Sequence, residues 1–220
     1  MYPHSRHPPS VSLSIMITIV DYGVGNLLSI RNMLRKIGIG SRVTADPDEI
    51  RTADKLILPG VGAFAHAMDR LRKLGFEEVL RQRVLDEGVP ILGICLGMQL
   101  FARRGDEGDV SGLGWLPADA VPFDQARLRA HDRVPHMGWS DIAPGRRSGL
   151  FEGTPPNPRF YFAHSFHLAH DDPEDVAAWT IHGYRFAAAV ERRNILGVQF
   201  HPEKSHRYGM GVLRNFAERY

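Results

Sequence analysis

Short apolar segments alternate with amphipathic segments along the first hundred residues, and this alternation restricts the possible folds more than any other feature. Residues 15–20 form a run of mostly β-branched side chains, whereas 26–37 has apolar residues at helical spacing. The pattern then continues with the same period. Further strands are predicted at 42–44, 55–58 and 89–94, and further helices at 63–74, 76–87 and 96–103.

Alternating units of this length imply a parallel sheet with helices on both faces. Ligands bind such sheets beyond the carboxyl ends of the strands, so the turns after Val20, Leu58 and Ile94 are expected to face one crevice. Beyond Gly108, Pro and Gly become frequent and the strand-like runs are short. This part is predicted to be a mixed or antiparallel β extension, with strands at 160–162, 187–191 and 195–200 and a closing helix at 205–219. The fold class is therefore α/β, with an open, mostly parallel central sheet.

The domain organisation is expected to be simple. A chain of 220 residues suits one domain with a substantial core, and no repeat or linker divides it. Residues 1–15 are rich in Pro, Ser and His, which predicts a disordered leader without chemistry, or a true start at Met16. The single domain is then expected to span 16–220.

Composition argues against several classes of partner. The formal net charge is only +2, and no basic stretch with interleaved aromatic residues indicates nucleic-acid binding. No apolar run reaches the roughly 18 residues of a membrane span. A single cysteine excludes an internal disulfide framework and fits a reducing compartment, so a cytoplasmic location is expected.

That cysteine lies in the most informative motif of the chain. Cys95 stands between Gly93 and Gly97, where a predicted strand ends and a predicted helix begins. Hydrolases use the same frame of two glycines to hold a nucleophile on a tight turn, and the free N–H groups of the new helix favour a thiolate. A lone buried cysteine is more often a packing residue. The glycine frame favours a nucleophile instead.

A cysteine nucleophile needs a histidine, and usually a third group that orients the imidazole. His201 follows the predicted strand 195–200, and Glu203 lies two residues further on, where its carboxylate could meet the other ring nitrogen. Two rival histidines, His136 and His164, lie among bulky apolar residues with no carboxylate within three positions. We expect these two to line or support the pocket.

Acyl chemistry also needs N–H donors for the developing oxyanion. The peptide N–H of Leu96, directly after the nucleophile, is one candidate. The segment Pro59-Gly-Val-Gly can supply another, because glycines such as Gly60 and Gly62 permit backbone conformations closed to other residues. By itself this segment is equally compatible with a plain strand-to-helix turn. A phosphate-binding loop is disfavoured because its lysine and Ser/Thr are missing.

Three motifs together, Pro-Gly-Val-Gly (59–62), Gly-Ile-Cys-Leu-Gly-Met-Gln (93–99) and Phe-His-Pro-Glu-Lys-Ser (200–205), closely resemble the triad (class I) glutamine amidotransferases. The resemblance runs from about Met16 to the C-terminus. Three further segments are most similar to the branch of glutaminase subunits that serve imidazole glycerol phosphate synthesis. These segments are Asp-Tyr-Gly-Val-Gly-Asn-Leu-Leu-Ser (21–29), Pro-His-Met-Gly-Trp (135–139) and Tyr-Phe-Ala-His-Ser (161–165).

The resemblance implies a role for each matching residue and no metal or cofactor. Cys95 would attack the side-chain amide of glutamine, His201 would shuttle protons and Glu203 would orient His201. The remaining site residues fall into two groups, one that would stabilise the oxyanion and one that would bind glutamine. Gly60, Val61 and Leu96 would belong to the oxyanion segment, and Gly62, Gln99 and Ser165 would contact the bound glutamine.

The same resemblance implies a protein partner. In this branch the glutaminase forms a heterodimer with a (β/α)₈ cyclase subunit, which receives ammonia through an internal channel. Ammonia released into neutral water is mostly protonated and no longer nucleophilic, which is a physical reason for such a channel. Four positions match residues that face the partner: Asn26, Ser29, Tyr161 and Lys204.

Departures from the family pattern leave the ammonia acceptor open. Phe166 stands where Tyr is frequent, Ser140 stands where Asn is usual, and the segment 205–210 looks more like paralogues that supply ammonia to sugar amidation in surface-polysaccharide pathways. Histidine biosynthesis remains the first expectation. A free-standing thiol hydrolase or a non-catalytic binding subunit is disfavoured, because the partner-type segments and all three triad candidates are present.

Overall fold

The structure is a computed structural model that describes residues 16–145 and 148–220. The predicted leader at 1–15 lies outside the described residues. Within the described ranges, no helix is long and apolar enough to cross a membrane.

Up to Gln99 each strand is followed by one or more helical segments, after which strands dominate until a final helix. The helices are α1 (Leu27–Lys36), α2 (Pro47–Arg51), α3 (Phe64–Lys73), α4 (Phe76–Arg81), α5 (Leu96–Gln99) and α6 (His206–Arg219). The strands of the first half are β1 (Met16–Val20), β2 (Gly40–Thr44), β3 (Lys55–Gly60) and β4 (Ile91–Cys95). The later strands are β5 (Arg104–Gly105), β6 (Val110–Ser111), β7 (Ala118–Pro122), β8 (His136–Asp141), β9 (Ala143–Pro144), β10 (Arg159–His164), β11 (Phe166–His170), β12 (Val176–His182), β13 (Tyr184–Arg192) and β14 (Ile195–Val198).

The central sheet has the strand order β2-β1-β3-β4-β14-β13-β12-β9 within the described residues. The first five strands in this order pair in parallel, and the last three pair antiparallel. A strand directs successive side chains to opposite faces. In β3, Leu56 and Leu58 join an apolar cluster with α3 and α4, whereas Ile57 joins a second cluster with α1 and α6. The predicted parallel sheet with helices on both faces is confirmed.

The predicted β extension is also confirmed, and it is larger than the sequence indicated. Besides the antiparallel strands of the main sheet, β11, β7, β5 and β6 form a second sheet, and β10 pairs with β8. The β10–β8 pair brings the segments 135–139 and 161–165 side by side, with His164 opposite His136. These strands form one wall above the carboxyl end of the parallel strands.

Several predicted boundaries were wrong. The helix expected at 96–103 ends at Gln99, because the carbonyl groups after it accept hydrogen bonds from a distant loop instead of from the next helical turn. The amides of Leu113 and Trp115 donate to Leu100 and Phe101, both at 2.9 Å or less. The helix expected at 76–87 changes after Arg81 into a π-helical turn, Gln82–Asp86.

Two other differences concern short elements. The last parallel strand, expected at 195–200, ends at Val198. Helix α2 was not predicted from the sequence, because its five residues are too few to show a periodic pattern. A local signal was present, since Asp46 accepts a hydrogen bond from the amide of Asp48 and Pro47 begins the helix.

Candidate active site

Cys95 is the last residue of β4 and directly precedes α5. Its φ of 55° is in the left-handed region, which few non-glycine residues adopt. The neighbouring glycines make this turn possible. A Cβ on Gly97 would lie 1.9 Å from the carbonyl oxygen of Leu58, and one on Gly93 would lie 2.7 Å from the backbone of Met98. The tight turn predicted from the glycine frame is therefore present.

His201 follows β14, the strand that pairs with β4 in the centre of the sheet. Its Nδ1 lies 2.9 Å from Oε1 of Glu203, and both side chains are almost completely buried. The backbone of His201 is held on both sides. Its amide donates to the carbonyl of Tyr161 at 2.8 Å, and its carbonyl accepts from Oγ of Ser205 at 2.6 Å.

The electrostatics of His201 favour the charged imidazolium. Burial lowers its pKa, but hydrogen bonds and charge interactions with Cys95 and Glu203 outweigh burial and raise the pKa to about 9. The structure thus brings Cys95, His201 and Glu203 together, as the sequence motifs predicted. Such a group can hold a thiolate–imidazolium pair near neutral pH.

The segment predicted to supply oxyanion donors begins at the end of the neighbouring strand. Gly60 is paired with Cys95 in the register of β3 and β4. A Cβ on Gly60 would come within 2.7 Å of the amide nitrogen of Gly97, so a glycine is needed for β3 to approach the start of α5 this closely. The hydroxyl of Tyr22 donates to the carbonyl of Pro59 at 2.6 Å and fixes the start of the segment.

A cavity of about 250 Å³ opens above Cys95. Its lining includes five of the six residues predicted for oxyanion and glutamine contacts: Val61, Gly62, Leu96, Gln99 and Ser165. Larger hollows, of about 560 and 580 Å³, lie beside Glu191 and beside Trp179, and neither is lined by a candidate nucleophile. Since chemistry needs a reactive group as well as space, we assign the candidate site to the smaller cavity.

The four residues predicted to face a partner lie outside this cavity lining. Asn26 precedes α1 and Ser29 is in its first turn, and α1 packs against the turn Pro202–Lys204. The ammonium group of Lys204 lies 5.6 Å from the ring centre of Tyr161. The structure therefore places these four residues in or around the turn Pro202–Lys204, which follows His201. Their role in partner binding stays a prediction.

The two rival histidines form a hydrogen-bonded pair beside the cavity. His164 Nδ1 donates to the carbonyl of Phe166 at 2.7 Å, which leaves its Nε2 to accept from Nδ1 of His136 at 3.1 Å. Nε2 of His136 accepts from Oγ of Ser140 at 2.9 Å. Burial, together with the charge of His182, lowers the pKa of His136 to about 4. Both rivals are therefore neutral near pH 7 and lie beside the cavity, and their supporting role stays a prediction.

One buried polar residue of the site was missed by sequence reasoning. Gln199 is fully buried between the side chains of Gln99 and Cys95. Its position two residues before His201 was the available signal. No group of three His, Cys, Asp or Glu side chains that could hold a metal ion occurs among the described residues.

Comparison with known proteins agrees with this geometry. The sequence profile of the family "Glutamine amidotransferase class-I" matches residues 18–219. The chain therefore belongs to the class-I glutamine amidotransferases, which confirms the resemblance and makes it an enzyme of that class.

Curated relatives narrow the similarity further. The chain is 47% identical over 203 residues to the imidazole glycerol phosphate synthase subunit HisH of Bdellovibrio bacteriovorus, with 92% of this chain and 100% of that protein covered. It is also 47% identical to the subunit HisH of Moorella thermoacetica, covering 92% and 94% of the two chains. The subunit HisH 2 of Pseudomonas aeruginosa is 43% identical, covering 92% and 99%.

Solved structures support the fold alone. A structure described as glutamine amidotransferase has a TM-score of 0.70 at 20% identity and covers 91% of this chain and 97% of its own. The structure of PurLQS from Thermotoga maritima has the same TM-score at 18% identity, covering 93% and 98%. At these identities the sequences have diverged while the fold persists.

Proposed function

We propose that this protein is the glutaminase subunit of an imidazole glycerol phosphate synthase. It hydrolyses glutamine to glutamate and delivers ammonia to a (β/α)₈ cyclase subunit in histidine biosynthesis, in the cytoplasm. The observation that carries the proposal is the convergence of Cys95, His201 and Glu203 beneath a cavity of amino-acid size. The names of the relatives support this pathway and do not favour the surface-polysaccharide alternative.

The geometry supports the following chemistry. The sulfur of Cys95 attacks the side-chain carbonyl carbon of glutamine, and the backbone N–H groups of Val61 and Leu96 stabilise the oxyanion. His201 gives its proton to the leaving nitrogen, and ammonia departs. A water molecule then attacks the thioester, its proton passes to His201, and glutamate is released. Glu203 keeps the imidazole oriented and stabilises its positive charge throughout.

A heterodimer with the cyclase subunit is part of the proposal. The placement of Asn26, Ser29, Tyr161 and Lys204 around the turn that follows His201 supports it, because a partner that contacts this turn also contacts the backbone of the catalytic histidine. Ammonia released at Cys95 would leave on this side without meeting bulk water. A free-standing thiol hydrolase would have no use for such an arrangement.

The test uses the chain in complex with its cyclase subunit. Cys95→Ala is expected to abolish synthesis from glutamine and to leave synthesis from added ammonium salts intact. That result separates the glutaminase step from the cyclase step within one assembly. Loss of both activities would instead mean that Cys95 has a structural role, and retention of both would exclude it as the nucleophile.

A further inference from the structure

The amide of Gln199 connects two parts of the site. Gln199 is fully buried directly after β14, two residues before His201. Its Oε1 accepts a hydrogen bond from Nε2 of Gln99 at 3.0 Å, and its Nε2 lies 3.7 Å from Sγ of Cys95, within hydrogen-bond distance for sulfur. A buried amide with both ends occupied has a defined orientation.

The orientation of both amides is determined by a backbone carbonyl. The oxygen of Phe166 accepts from Nε2 of Gln99 at 2.8 Å and from Nδ1 of His164 at 2.7 Å. A carbonyl can only accept, so the NH₂ group of Gln99 must face it, and Gln199 must then present its oxygen to Gln99. Consequently the NH₂ group of Gln199 faces the sulfur. Reversing Gln99 would bring its oxygen against two other acceptors, and reversing Gln199 would bring two NH₂ donors together.

We propose that Gln199 is a positioning residue with two effects on the glutaminase reaction. It donates to the sulfur of Cys95 and thereby favours the thiolate opposite His201. It also engages the NH₂ group of Gln99, so that Oε1 of Gln99 remains available to a ligand in the cavity. The second effect rests on the proposed function, whereas the first concerns the sulfur alone.

The first effect can be tested on the isolated chain, because Cys95 is its single cysteine and alkylation reports on that sulfur only. Gln199→Met has nearly the same shape without a donor, and Gln199→Glu places a carboxylate beside the sulfur. With iodoacetamide at neutral pH, Gln199→Met is expected to react about tenfold more slowly, since a hydrogen bond to a charged group is lost. The pH profile of alkylation is expected to move to higher pH, and further in Gln199→Glu.

Thr18→Val is the matched control for loss of a buried polar group. Thr18 is fully buried and accepts a hydrogen bond from Nε of Arg42 at 3.0 Å, on a strand that does not carry the sulfur. Its alkylation profile is expected to overlay that of the unaltered chain. Profiles of Gln199→Met and Gln199→Glu that also overlay it would overturn the proposal. The proposal would also be overturned if the alkylation profile of Thr18→Val were displaced as far as the profiles of the two Gln199 variants.

The second effect is measured in the complex with the cyclase subunit. Gln199→Met is expected to raise KM for glutamine and to lower kcat, with ammonium-dependent synthesis unchanged, whereas a purely structural role would reduce both activities together. Alkylation needs neither glutamine nor the partner. A displaced profile without a kinetic effect would contradict the second effect alone, and an unchanged profile would contradict the first. Absence of glutamine-dependent synthesis in the unaltered complex would instead contradict the proposed function.

Discussion

Glu203 and His201 are joined by a single buried hydrogen bond of 2.9 Å, and this contact helps to keep the imidazole charged. Glu203→Gln retains the shape but removes the negative charge. We expect the pKa of His201 to fall below its value of about 9, which moves the alkaline limb of the pH–rate profile to lower pH. Glutaminase turnover is expected to fall by roughly 10- to 100-fold, the effect of losing one charge-assisted hydrogen bond.

His201→Ala is the reference for this prediction. It removes proton transfer itself, which contributes about 100- to 10,000-fold in rate, so its loss is expected to exceed that of Glu203→Gln. Steady-state rates measured across the pH range in the complex provide both comparisons. Equal losses in the two variants, or an alkaline limb that does not move, would show that Glu203 does not act through the charge of His201.

The sequence predicted the residues of the site whose partners are close along the chain. Glu203 is two positions from His201, and the glycines that permit the Cys95 turn are two positions away on each side. Gln199 could not be assigned in this way, because its two partners lie about one hundred positions earlier and only the sheet brings them near. Contacts of this kind depend on strand order, which no local pattern records.

At the scale of elements, helix α6 fixes the turn that carries Glu203. Gly209, in its first turns, lies so close to Pro202 that an added Cβ would be 1.8 Å from the Pro202 carbonyl oxygen. Gly211, one half-turn further along, has nothing within 4 Å of such a Cβ. There is therefore no room for a side chain at Gly209, whereas Gly211 of the same helix could be replaced by a larger residue.

We expect Gly209→Ala to lower the free energy of unfolding by about 1–3 kcal/mol, because the turn or the helix must shift. Glutaminase activity should fall as well, since the shift displaces the turn that follows His201. Gly211→Ala should instead raise stability by about 1 kcal/mol through higher helix propensity. Denaturant unfolding of both variants tests the pair, and equal changes would contradict the packing argument.

Strands were predicted best where burial alone determined their sequence pattern. Strands β1, β3 and β4 are buried on both faces and therefore read as continuous apolar runs. The end of α5 was not predictable from the pattern, because Leu100 and Phe101 remain apolar while their carbonyls bond to a loop more than ten residues away. The apolar pattern therefore continues past the point where the helical backbone pairing ends.

At the scale of the whole molecule, buried histidines and the charged His201 make stability depend on pH in opposite directions. The pKa of His136 is lowered to about 4 and that of His164 is also lowered, mainly by burial. At His136 the unfolded chain therefore binds more protons than the folded one between about pH 4 and about pH 6.5, and at His164 the difference has the same sign. The pKa of His201 is raised to about 9, so its contribution is complete below about 6.5 and is lost as the pH rises through 9.

Maximum stability is therefore expected near pH 6.5 to 7, with a loss on the acid side as the neutral histidine pair becomes protonated. His136→Gln removes one of these groups and should reduce the acid-side slope by about 1.4 kcal/mol per pH unit, the value for one proton. His182 and Asp132 face the same cluster and are present in both proteins, so the difference between the two curves isolates His136. Denaturant unfolding between pH 4.5 and pH 7 measures it. Parallel curves would mean that His136 is already charged in the folded protein, and the hydrogen-bond direction from Ser140 through His136 to His164 would then be wrong.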